Sequence, residues 1–324
     1  MKVLVTGGAG YIGSVVAAQL VEAGHETVVL DDLSRGHAGA IPERARLAQG
    51  DLLDTAFVRE TLSGDFDGVL HFAALSLVGQ SMEEPELYYR NNVCGTLNLL
   101  EAMRDSGVAK LVFSSTAAVY GEPEEVPIRE TAPALPINPY GSSKLAVDSL
   151  IKAVAGARGL AATSLRYFNV AGARGHFGED HHPETHLIPL VLSAAAENSS
   201  VKIFGTDYPT RDGTAVRDYI HVEDLGRAHL LALEAAEAGE HCVYNLGNGA
   251  GFSVREVVEA ARRVTGKEIV AVESPRRPGD PPALVASSDN IRADLGWKPQ
   301  KPELEAMISD AWAWMQDHPE GYSE

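Results

Sequence analysis

The chain has 324 residues, a formal net charge of −18 and 45 % hydrophobic side chains, an ordinary globular composition with room for one large domain or two packed ones. The acidic balance excludes nucleic acid or an anionic membrane surface as a general partner, so any phosphate ligand must find its arginines locally. Cys94 and Cys242 follow no paired spacing, no basic leader precedes the first apolar run, and no apolar run approaches membrane-spanning length, so a soluble, cytoplasmic protein without disulfides is expected.

Lys2–Thr6 is β-branched and apolar, the composition of a buried strand. Gly7-Gly8-Ala9-Gly10-Tyr11-Ile12-Gly13 follows at once, and an amphipathic helix pattern opens at Ser14. Gly8, Gly10 and Gly13 fit G-x-G-x-x-G, while Thr6-Gly7, Gly10 and Gly13 fit the longer turn T-G-x-x-G-x-x-G. Strand, glycine turn and helix are the context of a dinucleotide fingerprint. Missing β-carbons let the backbone approach a pyrophosphate, and the helix N-terminus offers free N–H groups. Gly24 stops the helix near Ala23, and Glu26–Leu30 reads as the second strand. Asp31 and Asp32 end it, roughly 20 residues past the glycines, where a carboxylate can bond an adenosine ribose and repel a 2′-phosphate. NAD is therefore expected over NADP.

A third strand leads from Arg46–Leu47 to Gly50-Asp51-Leu52, with Asp51 placed to face the adenine. Gly68–Phe72 is a fourth strand, running into Ala73 and Ala74, small enough for close approach to a ligand. Glu86–Arg104 has helical apolar spacing, and Lys110–Ser114 is a fifth strand that runs into Ser115-Thr116. Repeated β–α alternation predicts an α/β fold, a Rossmann-type doubly wound parallel sheet covered by helices on both faces. From Ala171 the pattern changes. Residues 172–186 read as a loop, Leu187–Ala196 as a helix, Ser200–Phe204 as a strand, Ile220–Ala238 as a strand end and long helix, and Val243–Gly247 as a strand. The expected division is a dinucleotide-binding domain over 1–170, joined by returning segments near 220–248, and a smaller C-terminal α/β substrate domain over 171–324. Ligands of such sheets lie outside the carboxyl ends of the strands, so Gly10, Asp31, Asp51, Ala73 and Thr116 should converge on one crevice.

Tyr140-Gly141-Ser142-Ser143-Lys144 precedes another apolar helical pattern. Tyr140 and Lys144, four apart, share one helix face. An ammonium beside a phenol favours the phenolate and would lower its pKa, making Tyr140 a general base for a hydroxyl proton.

Thr6–Gly13, Asn91, Ser114–Thr116 and Tyr140/Lys144 together resemble the extended short-chain dehydrogenase/reductase family. The phrases His71–Leu75, Val78–Ser81, Ser114–Gly121, Arg166–Ala173, Val216–Val222 and Pro275–Asp280 narrow the resemblance, nearly end to end, to its nucleotide-sugar 4-epimerases. The resemblance implies a retained NAD and interconversion of UDP-glucose and UDP-galactose. Tyr140 would take the sugar 4-hydroxyl proton as the C4 hydride passes to NAD, and Lys144 would hold the nicotinamide ribose. Thr116 would bond the 4-oxygen. The 4-keto sugar would then turn over in the pocket and be reduced on its other face. Matching cofactor positions are Gly7, Gly10, Tyr11, Ile12, Gly13, Asp31, Asp32, Leu33, Ser34, Arg35, Gly36, Asp51, Leu52, Phe72, Ala73, Ala74, Ser76, Asn91 and Phe168, with Thr116, Tyr140 and Lys144. On the substrate side, Asn169 and Leu187 match the diphosphate region, and Lys202, Ile203 and Phe204 the uracil. Arg217, Arg277 and Asp280 match the phosphates and ribose, and Tyr219, His186 and Leu284 complete the set. Guanidinium groups suit phosphate because they present paired N–H donors. A homodimer through helices near Glu86–Arg104 and Ser142–Ala157 is also implied.

Some positions depart from relatives. Ser76 stands where some carry lysine, and His186 where others carry asparagine. Leu284 stands where some hold a tyrosine that closes the sugar pocket, which leaves room for an N-acetyl group; a uronate or pentose substrate is a further alternative. Ala117-Ala118 follow Thr116 where 4,6-dehydratases place an Asp-Glu pair, and methyl groups do no acid–base work. A non-catalytic NAD-binding regulator would be expected to lose Tyr140 or Lys144. His176, His181, His182 and His186 cluster with Glu179 and Asp180, but their linear spacing follows no metal-ligand pattern, so no metal is expected.

Overall fold

The computed structural model describes residues 1–277 and 280–323. The strands are β1 (Lys2–Thr6), β2 (Glu26–Asp31), β3 (Arg46–Gln49), β4 (Gly68–His71), β5 (Lys110–Thr116), β6 (Ala161–Tyr167), β7 (Asn169–Ala171), β8 (Ser200–Phe204), β9 (Val216–Arg217), β10 (Tyr219–His221), β11 (His241–Leu246), β12 (Phe252–Ser253), β13 (Val270–Ser274) and β14 (Ala283–Leu284). Seven of them form one parallel sheet in the order β11-β6-β5-β4-β1-β2-β3. Winding proceeds outward in opposite directions from β1 and β4. Their carboxyl ends therefore flank the crevice where an open α/β sheet takes its ligand.

The helices are α1 (Tyr11–Glu22), α2 (Thr55–Thr61), α3 (Val78–Glu83), α4 (Pro85–Tyr88), α5 (Gly95–Ser106), α6 (Pro139–Arg158), α7 (Leu187–Glu197), α8 (Val222–Ala235), α9 (Val254–Thr265), α10 (Asp289–Leu295) and α11 (Leu304–Asp317). Side chains alternate along each strand, so the sheet feeds two cores. Leu4, Val28, Val69 and Leu111 pack with α2, α5 and α6 on one face. Val3, Val5, Val29, Leu70 and Val112 pack with α1 and α8 on the other. Burial on both faces explains why these strands read as unbroken apolar runs rather than alternating ones. A third core gathers α7, α9 and α11 over β8, and β8 pairs with β13.

Two boundaries differ from expectation for physical reasons. Helix α1 begins at Tyr11 rather than Ser14, because Gly10 already serves as its N-cap. Glu86–Arg104 is not one helix: α4 passes through a π-helical turn, Tyr89–Cys94, into α5. The wider turn resets the apolar phase without interrupting it, and π-turns of this kind favour functional sites. Among the described residues no helix is long and apolar enough to cross a membrane.

Candidate active site

Gly7 closes β1 at φ +69°, and a β-carbon there would sit 2.5 Å from the Ala73 nitrogen; one on Gly13 would sit 2.1 Å from the Gly7 oxygen. Protein packing alone demands both glycines. Gly10 differs, since a β-carbon would meet only the Gly7 oxygen, at 3.4 Å, and its open side faces away from the protein's own contacts. Helix α1 also begins without a capping side chain or an acidic residue in its first turn. An uncapped helix N-terminus behind a bare glycine backbone is the cradle a dinucleotide pyrophosphate fits.

Asp31, 7 % exposed, accepts from the Ala9 amide at 3.0 Å and the Leu33 amide at 2.9 Å. Burial raises its pKa, and those two amides pull it back. The carboxylate thereby ties β2 to the glycine turn while keeping lone pairs for a ribose. Asp32 is exposed and accepts from the Ser34 amide and hydroxyl. Leu33 takes φ +61°, Gly36 lies against Ala9, and Arg35 donates to the His182 carbonyl at 2.7 Å. Tyr11 donates its hydroxyl to the Gly172 carbonyl at 2.6 Å, and Ile12 is half-buried beside it. Asp51 is exposed and accepts from the Leu53 amide, while Leu52 is core. The Phe72 and Ala73 amides both donate to the Thr6 carbonyl, bringing Ala73 and Ala74 beside the glycine turn. Ser76 is exposed and Asn91 half-buried.

Asn138 caps α6 by accepting from the Gly141 amide at 2.8 Å, with Pro139 in the first helical turn, and this fixes Tyr140 in that same turn. Thr116, 8 % exposed, ends β5 with its hydroxyl accepting from the Ala118 amide at 3.1 Å. The expected lowering of the Tyr140 pKa is absent. Burial raises it above the ordinary phenol value, the Thr116 hydroxyl opposes this, and Tyr88 adds to it. The reason lies in Lys144. Its Nζ donates to the Ser114 carbonyl at 2.8 Å and sits 4.8 Å over the Phe113 ring. Burial lowers its pKa to about 7, with Asp148 opposing. A positive charge brought in by a bound ligand is what this phenol lacks.

On the opposite wall, β7 and β10 pair in parallel and carry Asn169 and Tyr219. Arg217 forms an ion pair with Asp280 and donates to the Val216 and Pro281 carbonyls. The Arg277 guanidinium lies 4.0 Å from the centre of the Phe204 ring. Lys202 is exposed, but the Ile203 side chain is core, so only its main chain can meet a ligand. Tyr219 is 4 % exposed and pairs in register with Asn169. Leu187 opens α7, and His186 before it is its N-cap. Leu284 packs with Phe168 against Val119, Tyr120 and Ile128. Pro278 and Gly279 of the arginine-rich phrase lie outside the described residues. Arg211 and Arg276 bind Glu256 and Asp207 instead, as surface ion pairs.

Residues 3–247 match the family described as NAD dependent epimerase/dehydratase. The chain belongs to that family. A UDP-glucose 4-epimerase of Streptomyces lividans is 57 % identical over all of this chain and 98 % of its own length. A solved UDP-glucose 4-epimerase superposes with a TM-score of 0.97 at 49 % identity, covering all of both chains. The Brucella ovis UDP-glucose 4-epimerase in complex with NAD gives 0.92 at 44 % identity, over 96 % of this chain and 97 % of its own.

Three supports of this epimerase/dehydratase-family site went unread in the sequence. Buried Asn92 accepts from the Leu75 amide and donates to Leu75 and Ser143, fastening the β4 loop to α6. Asp148 behind Lys144 binds Arg166 and Ser115, and its i,i+4 spacing from Lys144 is the one local signal that could have found it. Asp218 is fully buried and accepts from the Asn248, Gly249 and Ala286 amides at 2.8–3.0 Å, joining three loops of the substrate side.

Proposed function

We propose that this chain is an NAD-dependent isomerase interconverting UDP-glucose and UDP-galactose, with NAD in the β1–β4 crevice and the UDP-sugar between that crevice and α7. The observation that carries the reading is Tyr140 in the first turn of α6 with Lys144 one helical turn on, and Thr116 at the carboxyl end of β5, all at the crevice that the glycine turn opens. Bound NAD supplies the two-electron acceptor and donor for C4 of the sugar. Tyr140 takes the proton of the 4-hydroxyl and later returns it, Thr116 holds the 4-oxygen, and Lys144 fixes the nicotinamide ribose. Burial keeps Tyr140 protonated until a positive charge arrives, so proton removal is coupled to an occupied crevice. Arg217 and Arg277 face the phosphates and ribose, and Phe204 offers the uracil an apolar wall.

Ala117 and Ala118 leave no acid–base pair for dehydration. Leu284 beside Phe168 favours room for an N-acetyl group, so UDP-N-acetylhexosamines are second substrates. In this reading residues 1–170 with the 220–248 segments hold the cofactor and the rest of 171–324 holds the substrate. The helices near Glu86–Arg104, where Leu87 and Leu97 are exposed, and near Ser142–Ala157 join two copies into a homodimer in a cytoplasmic galactose-metabolising enzyme. The test is isotopic. UDP-galactose deuterated at C4 should yield UDP-glucose that keeps the label at C4; wash-out into solvent would refute internal return.

A further inference from the structure

The loop ahead of α7 gathers Glu179, His181, Glu184 and His186, whose ligand atoms lie within 4.8 Å of one another. Both imidazoles aim Nδ1 at one oxygen, Glu179 Oε1, at 3.0 Å from His181 and 2.7 Å from His186. Glu184 closes the other side, its Oε1 3.0 Å from His186 Nδ1 and its Oε2 3.9 Å from His181 Nδ1. The rings stand 5.4 Å apart, inclined by 49°. Ligand atoms of a tetrahedral zinc ion, with bonds of about 2.1 Å, lie roughly 3.4 Å apart. The separations here, 2.7 to 3.9 Å, bracket that spacing.

Charge and donor geometry point the same way. The Glu179 side chain is only 9 % exposed, so two neighbouring carboxylates need positive charge between them. Protons on the imidazoles are one source, for although burial works against the charged ring, Glu179 and Glu184 push His186 up to about 10. Yet two rings sharing one acceptor oxygen, with neither Nε2 bonded among the described residues, use the donors poorly. A shared cation would engage all four groups. The other candidate group, His221, Glu223 and Asp310, is already neutralised, since Lys301 Nζ stands 2.7 Å from both carboxylates. No side chain fills that role among the four loop residues.

We propose that Glu179, His181, Glu184 and His186 form a site for one divalent transition-metal ion of the zinc type. Imidazole and carboxylate without thiolate suit a borderline cation rather than Cu(I), and nitrogen donors disfavour magnesium and calcium. The ion pins the 179–186 loop to the start of α7. It also stands beside the dinucleotide turn, where Tyr11 meets the His181 ring edge-on at 6.3 Å.

The test uses full-length, untagged, metal-stripped protein, with Zn²⁺ followed by calorimetry and Co²⁺ by visible absorption; neither readout involves turnover. One equivalent per chain is expected, with the intense bands of four-coordinate Co²⁺. His181→Ala and Glu184→Gln, each checked for native circular dichroism, should lose saturable uptake, whereas His176→Ala should keep it. Absence of saturable uptake by the unaltered chain would overturn the proposal. So would uptake that survives both variants, or uptake abolished by His176→Ala, which would place the ion on His176 and His318, whose Nδ1 and Nε2 lie 3.0 Å apart.

Discussion

Replacing Lys144 by Met should separate what the lysine does for chemistry from what it costs the fold. The side chain is 2 % exposed, and burial holds its pKa down to about 7 with Asp148 opposing. In the unfolded chain a lysine keeps its proton to about 10.4. Between those values the unfolded state binds more protons than the folded one, so this group makes stability rise with pH from about 7 and level off near 10. From pH 7 to pH 9, a folded pKa of about 7 gives a gain of about 2 kcal/mol from this residue alone. Met keeps much of the aliphatic volume and carries no proton. Urea unfolding of cofactor-free protein at pH 7, 8 and 9 should therefore show stability rising more in the unaltered chain than in Lys144→Met, by about 2 kcal/mol across the range. Groups remote from Lys144 cancel in that difference, and its neighbour His71 titrates below this pH range. Parallel pH dependence in the two proteins would refute the buried, desolvated lysine.

Tyr140→Phe should lower kcat by about 10²–10⁴-fold with little change in UDP-sugar affinity, measured by steady-state kinetics and calorimetry. Asp218→Ala strands the buried Ala286 amide at about 1–3 kcal/mol and removes the bonds to the less buried Asn248 and Gly249 amides, so urea unfolding should show a loss of roughly 2 kcal/mol or more. Leu284→Tyr should remove activity on UDP-N-acetylglucosamine while sparing UDP-galactose; a parent enzyme inactive on the N-acetyl sugar at millimolar concentration would contradict the open pocket.

What the sequence disclosed is what chemistry writes locally. A strand, four glycines and the start of a helix occupy fourteen consecutive residues, and Tyr140 and Lys144 are one helical turn apart, so periodicity alone places each. Ser200–Phe204 was readable as β8 to the residue because its apolar run is bounded by turn residues on both sides. Tertiary partners carry no such signal. Nothing near Lys144 in the chain says that its ammonium turns to the Ser114 carbonyl, and so the phenol's pKa goes up rather than down. Strand alternation buries Ile203 while exposing Lys202, a side fixed by how β8 sits in the fold rather than by the local sequence. Glu179 and His186 are seven residues apart in no ligand-like spacing, and only the turn of their loop brings them together. The Ser253–Glu256 capping box that opens the amphipathic α9 is, by contrast, a local signal.

The central claim is tested most directly by incubating the purified protein with UDP-galactose and no added cofactor, and separating the products by chromatography. The account predicts UDP-glucose, formed by an NAD that stays bound and is regenerated within each turnover. Folded protein that leaves UDP-galactose unchanged, even after NAD is supplied, would contradict it.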